Sequence, residues 1–179
     1  MDLLERTVSS EELYRGRVVH LFRDVITLPD GHETTREVIR HQGAVAVVPL
    51  TESGEAVMVR QFRYPFGRPL LEIPAGKLEI GEDPDEAVKR ELSEETGASA
   101  RRWTPLGDFY PTVAYSDEVI RLYLAEGLTF GDTHPDEDEF LNVERVPLDA
   151  LVAQILSGEL PDGKTQAAIL KTRLLLDRR

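Results

Sequence analysis

The chain has 179 residues, 41% of them apolar and 30% charged, which suits one ordinary core and lies outside the range of membrane and low-complexity chains. With no cysteine, no apolar run near the roughly 18–20 residues that span a bilayer, and Asp2, Glu5 and Arg6 where a secretory signal would be apolar, it reads as a cytoplasmic protein without disulfides, thiol nucleophiles or cysteine zinc sites. The 33 acidic against 21 basic residues leave a charge of −12, which repels nucleic-acid backbones and leaves no nucleic acid or membrane among the expected partners.

Arg17–Phe22 and Asp24–Leu28 read as two short strands, Pro29-Asp30-Gly31 as a turn and Thr34–Arg40 as a third strand. The apolar content of this front piece (Val18, Leu21, Phe22, Val25, Ile26, Leu28) is too small for a core of its own. Residues 1–40 are therefore expected to be an extension that packs on something else, a partner subunit being one candidate. Gly43–Leu50 is almost continuously apolar, the pattern of a buried strand. Ala56–Gln61 follows as a strand and Leu70–Pro74 as a short extended piece, with Ala75–Glu82 as a loop. The clearest helix comes next: Asp83 is a good N-cap, Pro84 sits at N1, Glu86 at N3, and Gly97 stops the far end. Trp103–Tyr110, Glu118–Ala125 and Asn142–Val146 are expected strands, and Leu148–Ser157 and Thr165–Leu176 closing helices. No repeat or linker divides residues 41–179, so the fold class is α+β, one domain with a strand-rich N-terminal extension.

An acidic excess means either plain solubility or carboxylates gathered for a hard metal ion, and the position of the acids decides. With Glu91 at 0° and about 100° per residue, Glu95 falls near 40° and Glu94 near 300°. Val88, Leu92 and Ala87 flank them, while Lys89, Ser93 and Glu86 take the opposite side. A solvated acidic face lies opposite the apolar one; these acids border the buried side instead. Three carboxylates three and four residues apart repel one another, and Arg90, in reach of Glu94, supplies one cation only. A divalent cation such as Mg²⁺ or Mn²⁺ would balance the set.

Gly76, Glu82 and the run Arg90-Glu91-Leu92-Ser93-Glu94-Glu95-Thr96-Gly97-Ala98 resemble the Nudix box at every restricted position across 23 residues. The resemblance implies an α/β/α sandwich around a mixed sheet and a hydrolase of nucleoside diphosphates linked to another moiety. It also implies Glu91 and Glu95 as metal ligands, Glu94 as a third, and the backbone carbonyl of Ala75 as a further one. Pyrophosphate is an anionic, poor electrophile, so metal ions that screen charge and acidify a water suit the task. Gly76 is expected to let the loop bend back over the helix. Arg90 is expected to orient a helix carboxylate, and Glu82 either backs the metal or braces loop to helix.

Beyond the box, Thr35-Arg36-Glu37-Val38, His41–Val45, Val59–Pro65 and Leu71–Gly76 resemble the ADP-ribose pyrophosphatase branch, as does Pro111. That resemblance implies that Arg36 and Arg63 meet phosphates or the terminal ribose, that Glu72 lies near the substrate, and that the chain is a homodimer with Phe22 as a wall of the adenosine site. Glu72, between Leu71 and Ile73, can also simply point outward from a strand. The loop Tyr110–Glu118 is a second acidic site, where the family's general base matches Glu118; Pro111 is followed by Thr112 rather than glycine, and the acid comes seven residues on. The rival for activating the water is a helix glutamate, Glu94 or Glu95. ADP-ribose or a related nucleoside diphosphate sugar is the expected substrate. The alternatives are GDP-mannose, a dinucleoside polyphosphate, or a nucleotide-sensing module without catalysis. Asp136–Glu139 is a further acidic run, of the kind that is usually solvated.

Overall fold

A computed structural model describes residues 2–132 and 140–179, so the acidic run Asp136–Glu139 lies outside the described residues. The chain divides into two compact units. One holds the chain up to Gly43 together with Tyr110–Val119; the other holds Ala44–Phe109 and Ile120–Arg179.

The smaller unit is an antiparallel sheet in the order β1 (Arg6–Arg15), β2 (His20–Thr27), β3 (Glu33–Arg40). Sequence reading has no strand at β1 and splits β2 in two; in the structure residues 20–27 run unbroken. Every residue of β1 is exposed, so its sequence carries no alternation of apolar and polar faces, and only its ladder to β2 defines it. The turn at Pro29-Asp30-Gly31 is present: Gly31 has φ 90° and donates to the Leu28 carbonyl at 2.9 Å. The segment Tyr110–Val119 joins β3, with the Ile39 N–H on the Tyr115 carbonyl at 2.7 Å and the His41 N–H on Asp117 Oδ1 at 2.7 Å.

The larger unit is a mixed seven-stranded sheet. Its main path is β10 (Leu141–Pro147), β5 (Glu55–Arg63), β4 (Ala44–Leu50), β9 (Ile120–Phe130), β8 (Ala98–Phe109), with β6 (Arg68–Glu72) on β5 and β7 (Ala75–Lys77) on β4. β4 and β9 pair in parallel and the rest antiparallel. β4 is buried throughout and feeds both faces by alternation. Val45 and Val47 pack under α1 (Pro84–Thr96) with Val88 and Leu92, whereas Ala46, Val48 and Leu50 pack under α2 (Leu148–Ser157) and α3 (Gly163–Leu176) with Leu151 and Ile169. The result is the expected three-layer sandwich. No described helix is long and apolar enough to cross a membrane.

Capping chemistry sets the ends of α1. Asp83 accepts the Asp85 N–H at 2.8 Å, and Gly97 closes the helix at φ 66°, where a Cβ would also lie 2.4 Å from the Gly131 carbonyl oxygen. Glu86 at N3 pairs outward with Lys89 at 2.7 Å. Two corrections concern strands near the site. The supposed loop after Pro74 begins as β7, too short to show a period; and β9 starts at Ile120, which leaves Glu118 on the preceding loop.

Candidate functional site

The acids of α1 lie where the helical wheel puts them. Glu95 is 3% exposed, and the Glu91 side chain is more buried than that of Glu94. Arg90 ties the face together. Its Nε and Nη2 donate to the two Glu82 oxygens at 2.9 and 3.0 Å, and its Nη1 donates to Glu91 Oε1 and Glu94 Oε2, both at 2.9 Å. The hydrogen bonds to Glu82, with the charge of Glu91 and the hydrogen bonds to Glu91 and Glu94, outweigh burial and raise the Arg90 pKa further. Glu82 also accepts the Glu79 N–H at 2.9 Å, the geometry of a brace between loop and helix, and the Arg90 hydrogen bonds hold its carboxyl below the usual range.

Gly76 is needed here for space rather than for a bend. Its φ is not in the left-handed region, and a Cβ built on it would lie 1.9 Å from the Glu91 carboxylate. With glycine there, β7 passes flush beneath that carboxylate, which a side chain would push aside. One residue earlier, the Ala75 N–H donates to Glu95 Oε2 at 3.1 Å, so strand and helix meet at two consecutive backbone positions. Among the described residues no three His, Cys, Asp or Glu side chains stand converged on a point that could hold a metal ion. The donor chemistry nevertheless fits a hard divalent cation: Glu82, Glu91, Glu94 and Glu95 are all oxygen donors, and Arg90 pairs with three of them, Glu82, Glu91 and Glu94.

A second cluster lies on β5, β6 and the start of α3. Glu72 does not point outward. It is 2% exposed, and Arg63 grips it as a fork, Nε to Oε1 at 2.7 Å and Nη2 to Oε2 at 2.8 Å. Lys164 donates to Glu72 Oε2 and, at 3.0 Å, to Asp162 Oδ2. Burial pushes the Glu72 carboxyl up, but the Arg63 hydrogen bonds and the Lys164 charge outweigh it, and the net direction is down. Arg63 is raised, chiefly by its bonds to Glu72, with Glu95 among the charges that reach it. Sequence reading missed Asp162 and Lys164. The available signal was the N-cap pattern Asp162-Gly163-Lys164-Thr165, in which Asp162 accepts the Thr165 N–H at 3.0 Å and starts α3 two residues before Thr165.

The remaining sequence-derived residues belong to the smaller unit, each with its own partner. Arg36 pairs with Glu5 at 2.7 Å in an exposed ion pair. Phe22 carries the Arg40 guanidinium over its ring, 4.6 Å from the centroid. Glu118 Oε1 lies 3.9 Å from His41 Nδ1, and the Glu118 N–H donates to Ser116 Oγ at 3.2 Å.

Comparison with known proteins adds to this geometry. The NUDIX domain model matches residues 40–168, and that of the nucleoside diphosphate sugar hydrolase N-terminal domain matches residues 5–39. An ADP-ribose pyrophosphatase of Bacillus subtilis is 41% identical over 169 residues, covering 93% of this chain and 91% of that protein. A methanol dehydrogenase activator of Bacillus methanolicus is 41% identical over 167 residues, covering 92% and 90%. The crystal structure of an ADP compounds hydrolase shares the fold at a TM-score of 0.88 and 22% identity, over 99% of this chain and 97% of that one.

Proposed function

The chain belongs to the Nudix family, and from that premise we propose that it hydrolyses the pyrophosphate bond of ADP-ribose, to AMP and ribose 5-phosphate, or that of a related nucleoside diphosphate sugar. The observation that carries the reading is the seating of Glu91 over Gly76, with Glu95 on the Ala75 N–H and Arg63 within reach of the Glu95 charge. Likeness to an ADP-ribose pyrophosphatase over nearly the whole chain, front extension included, supports the substrate.

Nudix hydrolases use divalent cations; here Glu91, Glu95 and Glu94 with the Ala75 carbonyl would hold Mg²⁺, or Mn²⁺ in its place, which would screen the phosphates and acidify a water. Arg90 keeps Glu91 and Glu94 aligned and Glu82 braced. Arg63 supplies a planar cation for phosphate oxygens, oriented by Glu72. Glu118, on its loop, takes the proton of the attacking water, while Arg36 meets phosphates or the terminal ribose and Phe22 walls the adenosine site. We place the enzyme in the cytoplasm as a homodimer. β1, an edge strand with Val8, Leu13 and Tyr14 exposed, offers itself to the partner. A fully active monomer in sedimentation at micromolar concentration would remove the dimer.

Incubation with ADP-ribose and Mg²⁺, followed by product analysis, tests the activity; AMP and ribose 5-phosphate are expected. Release of a nucleoside phosphate from none of ADP-ribose (AMP), GDP-mannose (GMP) and diadenosine polyphosphate would overturn it. Glu118→Gln is expected to lower kcat by about 10²–10⁴ with the Mg²⁺ requirement unchanged, and a loss under about tenfold assigns the water to a helix glutamate instead. The equal likeness to a methanol dehydrogenase activator favours a second reading, stimulation of an alcohol dehydrogenase, which adding the chain to such an enzyme would reveal.

A further inference from the structure

Lys164 sits behind Glu72 with its side chain only 11% exposed, and a lysine held that far from water needs carboxylate partners. It has two, Glu72 and Asp162. Its place is fixed from the backbone. Thr165 Oγ1 donates to Asp162 Oδ2 at 2.6 Å and accepts the Ile73 N–H at 3.0 Å, so the start of α3 is stitched to the residue that follows β6.

The charges around this stitch balance: Glu72 and Asp162 against Arg63 and Lys164. Arg63 makes its fork to Glu72 with Nε and Nη2 and not with Nη1, and the side chain is about one-third exposed (38%). If Lys164 were uncharged, the two carboxylates would outweigh Arg63, and the cluster would turn net negative where an anionic substrate has to bind. We infer that Lys164 is a positioning residue: it neutralises Glu72 from behind, so that Arg63 keeps its orientation and the positive charge it presents to a pyrophosphate is not outweighed by the carboxylates. The inference deepens the pyrophosphohydrolase reading and rests on it for the identity of the substrate.

A double-mutant cycle between Lys164 and Arg63 tests it. Lys164→Met is expected to raise KM for ADP-ribose about tenfold, with kcat within about threefold of wild type. In an Arg63→Met background the same change is expected to cost less than about twofold, because the residue through which it acts is gone. Lys164→Gln, which keeps a donor to Glu72 without the charge, is the second variant, with the same rise in KM expected. An unchanged KM, a fall confined to kcat, or costs that multiply would each overturn the inference. Calorimetric binding of inorganic pyrophosphate repeats the cycle without turnover. A wild type that hydrolyses no nucleotide sugar yet shows this coupling overturns the functional reading alone. One that hydrolyses ADP-ribose and shows none overturns the inference alone.

Discussion

On α1 and its loop, Glu82, Glu91 and Glu94 share the guanidinium of Arg90, with Glu95 beside them on the Ala75 N–H; at the start of α3, Glu72 and Asp162 meet two cations, Arg63 and Lys164. Both clusters are partly buried, and both hold their carboxylates with directed hydrogen bonds. They differ in net charge, and in what that charge asks of the surroundings. A balanced buried cluster is complete by itself, and taking out one member leaves an opposite charge stranded. An acid-rich cluster carries its repulsion in the folded state, and removing one of its charges relieves that repulsion. The first stabilises and positions; the second, on the proposed reading, would receive a cation.

Neutral substitutions should therefore act with opposite sign in the two places. Glu91→Gln or Glu95→Gln is expected to lower hydrolysis by about a thousandfold or more, in the range lost when a principal electrostatic group goes. The metal-free melting temperature should stay level or rise. A variant that melts much lower in metal-free buffer yet still turns over would place these acids with the structural kind. Glu72→Gln should instead cost about 1–3 kcal/mol of stability at neutral pH, read from urea midpoints, because the Arg63 fork loses its charged acceptor and Lys164 is left with Asp162 alone. Since the Glu72 carboxyl is held below its ordinary range, its contribution is present above that range and fades as pH falls through the folded-state value. The difference from wild type should shrink in acid. Gly76→Ala should cost little stability, because the clashing atoms are the flexible end of Glu91, but should displace that carboxylate, so that the metal concentration for half-maximal rate rises. A silent Gly76→Ala would mean that the Glu91 carboxylate is free to sit elsewhere.

Local chemistry made α1 readable. Asp83, Pro84 and Gly97 act through neighbours in sequence, and the order of Glu91, Glu94 and Glu95 against Val88 and Leu92 already places the acids beside the buried side. The apolar run of β4 announced the centre of the sheet in the same way. What lay beyond reach depended on distant partners. Lys164 and Glu72 are 92 residues apart, and the direction of the Glu72 side chain is decided by α3, which an isolated Leu-Glu-Ile triplet does not record. β1 was invisible because all its residues are exposed and its pairing with β2 is made by backbone groups common to every sequence. The reason for Gly76 was half legible: glycine was required, but for the carboxylate packed on it rather than for a turn.

The mirror image of the α1 face, one acid under two guanidiniums, offers the mildest test. Glu126 accepts from Arg102 Nε at 3.0 Å and from Arg179 Nη1 at 2.8 and 3.0 Å. These hydrogen bonds, Arg102 first, bring its carboxyl down to about 2. A depressed carboxylate stabilises the fold above its unfolded value near 4.5, and that help is lost as pH falls toward about 2. Both arginines reach into solvent, so screening holds the net worth of such pairs to about 0–1 kcal/mol. Glu126→Gln should therefore lower the urea midpoint slightly at pH 7. The gap should narrow between pH 4.5 and pH 2, and it should narrow again at neutral pH in about 1 M salt, where exposed charges are screened within ~3 Å. The Glu91→Gln variant should show the opposite salt response, since salt screens the repulsion its wild type carries and so removes the variant's advantage. If both variants respond to salt with the same sign, net charge is not what separates the two kinds of cluster.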